Sequence, residues 1–164
     1  MVKTITVALI GNPNTGKSSI FNSLTGLKQK VANYPGVTVE KKTGFFNINR
    51  TTDVQLIDLP GSYGLNTKSI DQSIVFDLLL NKNNKDFPDL VVIISDVENL
   101  KRNLLLFTQI KDLEIPSILA INMSDQLKLK GIEIDIKKLE QKLDTKIVLI
   151  SAKKNEGFEE LKNV

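Results

Sequence analysis

Residues 11–18 read GNPNTGKS, and they lie between VKTITVALI (2–10) and SSIFNSLTG (18–26). The octapeptide fits G-x-x-x-x-G-K-[ST], a loop whose backbone N–H groups and lysine cradle a polyphosphate while its hydroxyl ligates magnesium. Gly11 and Gly16 let the backbone wrap the β-phosphate, where a side chain would collide or forbid the dihedrals needed. Lys17 supplies a point charge, and Ser18 opens a helix whose N-terminal dipole and unpaired N–H groups face the same anion. The flanks suit the loop. The preceding run is strand-like, and the following one has Ile20, Phe21, Leu24 and Leu27 on one helical face with Gly26 as its stop. Every residue from Gly11 through Asn12, Pro13, Asn14, Thr15, Gly16, Lys17 and Ser18 to Ser19 is therefore a candidate nucleotide contact.

Outward from this loop, strand-like and helix-like segments alternate, the pattern of a mainly parallel sheet covered by helices on both faces. LKQKVANYPGVTVEKKTG (27–44) reads as a flexible loop broken at Pro35-Gly36, with Val37 and Val39 beginning a second strand. Phe45–Ile48 and Val54–Ile57 flank a polar turn and predict an antiparallel hairpin whose first strand lies at the sheet edge. Ser69-x-x-Gln72 is a capping box before a helix with Ile70, Ile74 and Leu78, running to about Leu80. DLVVIIS (89–95), SILAI (117–121) and KIVLI (146–150) are apolar runs typical of buried parallel strands. Between them, Asn99 caps a helix through Leu100, Leu104, Phe107, Ile110 and Leu113, and GIEIDIKKLEQKLD (131–144) gives an amphipathic helix through Ile136, Leu139 and Leu143. A last helix follows Gly157 and is cut short at Val164, which reads as a domain (1–164) excised from something longer.

Composition narrows the chemistry. At 164 residues with net charge +3 the chain is most economically one domain, and nothing in its charge points to a nucleic-acid surface. With no cysteine or histidine, disulfides are impossible and the remaining ligands are oxygens, which suit magnesium and alkali cations. No apolar run approaches the roughly 20 residues of a membrane helix, and no signal peptide is evident, so a cytosolic setting is expected.

Four further motifs fall at strand ends or in loops, where open α/β sheets bind ligands. Asp58 of DLPG is placed to hold a magnesium-bound water and Gly61 to offer its N–H to a γ-phosphate. The Thr38 hydroxyl can complete the magnesium shell when a γ-phosphate is present, its loop ordering around the triphosphate. Asn122-Met123-Ser124-Asp125 has N-x-x-D form: the Asp125 carboxylate can accept from guanine N1–H and the exocyclic amine, and adenine offers no such pair. Asn122 would tie this loop to the phosphate loop. At Ser151-Ala152-Lys153 a backbone N–H could meet guanine O6 while the lysine stem packs on the base.

Together these five elements resemble, in order and over the whole chain, the translation-factor-related GTPases. GNPNTGKSSIFNSLTG, VANYPGVTVEKKTG, DLPGSYGL, NLKRNLLL and INMSD resemble more narrowly the N-terminal cytosolic G domain of the ferrous-iron transport protein B family. The resemblance implies a three-layer Ras-like P-loop GTPase fold with a six-stranded mixed, mainly parallel sheet. It also implies a slow GTPase joined to a helical regulatory segment and to an inner-membrane domain importing ferrous iron. Self-association is left open and no nucleic acid is expected as a partner. Gly64 departs from the family pattern, where serine is expected after the tyrosine.

Hydrolysis needs a positioned water and positive charge near the β–γ bridge, often from a glutamine after the DxxG glycine and an arginine. Here Ser62 and Tyr63 follow Gly61, and no arginine lies between Gly26 and Thr38. Asn14 can present a carbonyl oxygen beside the bridging oxygen, and carbonyls around Ala32 and Tyr34 could complete a potassium site, a role that an asparagine holds in the resembling family. On that reading potassium substitutes for an arginine, and Lys17 and magnesium share the charge; the alternative is that Asn14 merely braces the loop. Two other readings stay open: a GTPase of ribosome assembly or tRNA modification, and a module that binds GTP without useful hydrolysis.

Overall fold

The computed structural model describes residues 2–26, 28–65 and 69–164. Strands β1 (Lys3–Gly11), β4 (Thr52–Asp58), β5 (Leu90–Asp96), β6 (Ser117–Asn122) and β7 (Lys146–Leu149) are mutually parallel, and β2 (Gln29–Asn33) and β3 (Glu40–Asn49) extend the sheet antiparallel beyond β4. The order is β2-β3-β4-β1-β5-β6-β7. Helices α1 (Lys17–Thr25), α2 (Ile70–Leu80), α3 (Leu100–Lys111), α4 (Asp125–Lys130), α5 (Ile136–Leu143) and α6 (Phe158–Asn163) complete the chain.

Period-two alternation along buried strands explains the three layers. Ala8 and Ile10 of β1 face the same core as Val75, Leu78 and Leu79 of α2 and Leu106, Phe107 and Ile110 of α3. Val7 and Leu9 face the opposite core with Ile20 and Phe21 of α1 and Phe158 of α6. All five parallel strands run with their C-terminal ends toward one edge, which collects the loops that carry the motifs.

The sheet has seven strands where six were expected. The additional one is β2, drawn from the segment read as a flexible loop: it hydrogen-bonds β3 in the register Ala32↔Lys41. Its side chains are largely exposed, so it carries no alternation for a sequence reading to detect. Consequently β3, expected at the edge, is an inner strand, and it begins at Glu40, beyond Val37 and Val39. Helix α2 starts where its capping box predicts, the Ser69 hydroxyl accepting from Gln72 N, but Ile70 points outward and its buried face is carried by Val75, Leu78 and Leu79. Asn99 precedes α3 without capping it: its side-chain amide donates to Asp96 Oδ1 at 3.0 Å. Helix α4, which buries no residue, was not foreseen. Leu27 lies outside the described residues.

Candidate nucleotide site

The phosphate loop is the turn from β1 into α1. Gly16 has φ +84°, and a Cβ there would lie 2.2 Å from Asn122 Nδ2. Gly11 is required for a different reason: a Cβ would lie 2.7 Å from the Ile94 carbonyl of β5, so packing against the next strand excludes a side chain whatever is bound. Asn14 also takes a positive φ of 67°, a region that costs a non-glycine residue energy and is enriched for asparagine. Thr15 faces inward and its hydroxyl donates to Asn12 O at 2.8 Å.

Two adjoining cavities follow the strand ends. One of about 380 Å³ is lined by Asn12, Pro13, Asn14, Gly16, Lys17, Ser18, Ser19 and Gly61. The other, about 510 Å³, is lined by Gly16, Ser19, Glu98, Asn122, Met123, Asp125, Gln126, Ala152 and Lys153. Gly16 and Ser19 belong to both, so phosphate-sized and base-sized spaces share one wall. Glu98 and Gln126 are residues that no sequence motif marked.

Asn122 joins the three loops around the second cavity. Its amide donates to the Thr15 carbonyl at 2.9 Å, and its Oδ1 accepts from Ala152 N at 3.1 Å. Asp125 is oriented by its own neighbours: Oδ1 accepts from the Ser151 hydroxyl at 2.8 Å and Oδ2 from the Gln126 amide at 3.0 Å. The Ser151 bond, with Gln126 and the charge of Lys153, holds the Asp125 carboxyl below the ordinary carboxylate range against an opposing effect of burial. A carboxylate has about four acceptor positions, so both oxygens keep capacity for donors entering the cavity.

Around the phosphate cavity the ammonium of Lys17 pairs directly with the carboxylate of Asp58, both largely buried. The DLPG loop is laid against the phosphate loop by Ser62 N, which donates to Gly11 O at 3.0 Å. Beyond it, Arg102 of α3 lies 4.5 Å from the ring centre of Tyr63, and Leu65 N donates to Gln109 Oε1 of α3 at 2.9 Å. Thr38, Ala32 and Tyr34 are not brought to this cavity. Thr38 is exposed on the turn between β2 and β3, and Ala32 is paired within β2. Tyr34 is buried against the α2 core, its carbonyl accepting from Val37 N at 3.3 Å. Burial pushes the Tyr34 phenol well above its ordinary value, and the carboxylates of Asp86 and then Asp58 push it further.

A phosphate loop at the end of the first parallel strand, a DxxG loop beside it and an N-x-x-D loop beyond define a P-loop nucleotide-binding domain of the Ras-like G-domain class. The profile of the family described as Ferrous iron transport protein B matches residues 5–164. The chain belongs to that family. It is 40% identical over 163 residues to the Fe(2+) transporter FeoB of Leptospira biflexa, covering 99% of this chain and 23% of that protein. It is 41% identical to that of Escherichia coli K12, covering 98% and 21%. Thus the chain spans between a fifth and a quarter of those relatives. Among solved structures, the G domain of the T. maritima FeoB iron transporter superposes with a TM-score of 0.88 at 43% identity, covering 98% of this chain and 96% of that one. The cytosolic domain of the same protein in a GDP form superposes with a TM-score of 0.92 at 44% identity, covering 99% and 62%. Family membership sets aside the ribosome-assembly reading. Among the described residues no helix is long and apolar enough to cross a membrane.

Proposed function

We propose that this domain binds GTP and GDP, hydrolyses GTP slowly, and switches the conformation of the segments around Thr38 and Gly61 to regulate a ferrous-iron transporter from the cytoplasmic side of the membrane. The observation that carries the reading is Asn122, which ties the Asp125 loop to Thr15 of the phosphate loop. Base recognition and phosphate binding are thereby held in one geometry. Asp125, ionised throughout the neutral range, discriminates guanine because only a purine with an N1–H and an exocyclic 2-amine satisfies both of its oxygens. The regulated partners are the helical segment and membrane domain expected in the longer protein. A second copy of the domain is a further candidate partner.

Lys17 must exchange Asp58 for phosphate oxygens as the triphosphate enters, and the released carboxylate becomes available to a cation. Ser18 and Asp58, hard oxygen donors at the mouth of the loop, would hold magnesium with Thr38 added, and the ion would supply positive charge to the phosphates. Asn14, exposed at the rim of the cavity, would hold potassium with the Ala32 and Tyr34 carbonyls, supplying charge where this chain lacks an arginine. Gly61 would direct its N–H to the γ-phosphate, and backbone N–H groups would orient the attacking water.

Turnover of GTP measured in potassium and in sodium tests this reading. Potassium should give the faster rate, and Asn14→Ala should remove the difference; equal rates in both salts would overturn the potassium assignment. Absence of single-turnover hydrolysis would leave the domain a binding module.

A further inference from the structure

A buried chain of side chains runs behind the phosphate loop. Asp96, at the end of β5, accepts from Asn103 Nδ2 at 2.9 Å, and Asn103 Oδ1 accepts from Asn12 Nδ2 at 2.7 Å. All three residues are at most 5% exposed. The polarity of this relay is fixed from one end. A carboxylate only accepts, so Asn103 must present its NH2 to Asp96 and its oxygen to Asn12, which must donate in turn. Asp96 is itself pinned by Glu98 N at 3.1 Å and Asn99 N at 2.9 Å on its other oxygen. One consequence is that Asn12 Oδ1 is buried without a hydrogen-bond partner among the described residues. A buried orphan acceptor is costly, so the amide of Asn12 is held by the relay, not by its own best local pairing.

The phosphate loop is therefore gripped at two points. Asn122 holds the Thr15 carbonyl, and Asn103 holds the Asn12 side chain, while Thr15 N and Oγ1 close the turn onto Asn12 O. Asn14, with its positive φ, lies between the two grips, and a strained residue keeps its conformation only where its surroundings over-determine it. Helix α3, which carries Asn103, also carries the Arg102 and Gln109 that hold Tyr63 and Leu65 after the DLPG loop.

We propose that Asn103 is a positioning residue for GTP hydrolysis: acting through Asn12, it fixes the part of the phosphate loop that bears Asn14 and keeps it in register with the segment following Gly61. The inference rests on the GTPase reading above. Asn122 borders the base cavity, so its loss weakens nucleotide binding. Asn103 lines neither cavity, so its loss acts on the rate.

The test compares kcat for GTP, affinity for a fluorescent GDP and thermal stability in wild type, Asn103→Ala, Asn12→Ala and the double variant. Loss of one hydrogen bond's worth of positioning predicts a kcat about tenfold lower in each single variant, with GDP affinity of Asn103→Ala, whose side chain lines neither cavity, within about threefold of wild type. The double variant should be no slower than the slower single one, because the two side chains act as a unit. Asn12→Ala cuts the relay from the loop side and leaves Asn103 on Asp96, so it reports even if Asn103→Ala fails to fold. Unchanged kcat in the single variants, a parallel fall in kcat and GDP affinity in Asn103→Ala, or multiplicative losses in the double variant would overturn the proposal. A wild type that binds but does not hydrolyse GTP overturns the functional reading and this one with it; a competent wild type with normal kcat in the variants overturns this one alone.

Discussion

Asn122→Ala is the perturbation whose cost can be worked most fully from the structure. The substitution removes a donor from the Thr15 carbonyl and an acceptor from the Ala152 N–H. Thr15 is 1% exposed, so no water replaces the lost partner, and an unpaired buried group costs about 1–3 kcal/mol. The Ala152 N–H is half-buried and adds about 1 kcal/mol, for a total of about 2–4 kcal/mol. For a chain of this length that lowers Tm by about 4–16 °C, which differential scanning calorimetry reads directly. GDP affinity should fall about 10–100-fold, since both loops that the side chain joins border the nucleotide cavities. Asn122→Asp separates the two bonds: it keeps an acceptor for Ala152 but sets a carboxylate against the Thr15 carbonyl, and should be at least as damaging as alanine. A Tm within about 2 °C of wild type with unchanged GDP affinity would refute the claim that this residue holds the two loops together.

Three further outcomes follow. Asp125→Asn should move preference from guanine to xanthine nucleotides in competition binding, because the amide donates where the carboxylate accepted; unchanged GTP affinity would count against the base assignment. The folded carboxyl of Asp125 lies below its ordinary value, so its contribution to GDP binding is fully present above the ordinary carboxylate range, about pH 4, and is lost only as pH falls through the depressed value. Titrated GDP binding should thus be flat from pH 8 to about pH 5, and Ser151→Ala should shift the acid limb upward; an unmoved limb would refute the role given to that hydroxyl. At Gly157, where φ is +85° and a Cβ would lie 2.1 Å from the Leu149 carbonyl, substitution by alanine should cost at least about 2 kcal/mol in urea unfolding; an unchanged midpoint would show that the loop relaxes freely.

Much of the site was legible because its residues answer to backbone and ligand chemistry that recurs at fixed spacing. The spacing from Gly11 to Ser18, and Asp58 or Asn122 each closing an apolar run, mark strand ends without knowledge of packing. What was not legible depends on pairing across long separations. Strand β2 is held by main-chain bonds to β3, and QKVAN has no alternating face to announce them. The relay from Asp96 to Asn103 to Asn12 joins residues far apart in the chain, and an asparagine inside NLKRNLLL reads from sequence as one polar interruption of a helix face. Asn99 illustrates the same limit: its residue type suits a cap, but the nearby Asp96 carboxylate claims its amide. Lys17 and Asp58 were each assigned to a ligand, and the structure pairs them with one another because opposite charges converge on the same cavity.

That pairing separates the site into two halves with different demands on a nucleotide. In the half built from β6, β7 and the phosphate loop, Asn122, Asp125, Ser151 and Thr15 already hold one another in place. A diphosphate entering there meets a preorganised surface and little ordering cost. The other half is set for something else: Asp58 is engaged by Lys17, Thr38 stands exposed on its turn, and Tyr34 is seated in the α2 core beside the Lys41–Asp86 pair. Bringing the Tyr34 carbonyl toward Asn14 would withdraw a buried aromatic ring, at a cost of about 2 kcal/mol in apolar burial, and would break the Val37 bond to that carbonyl. Only contacts made through a γ-phosphate can offset such a cost, because only they distinguish the two arrangements. On the proposed reading the β2–β3 turn and the DLPG loop are the segments that move, and the guanine half is the fixed frame against which they do so.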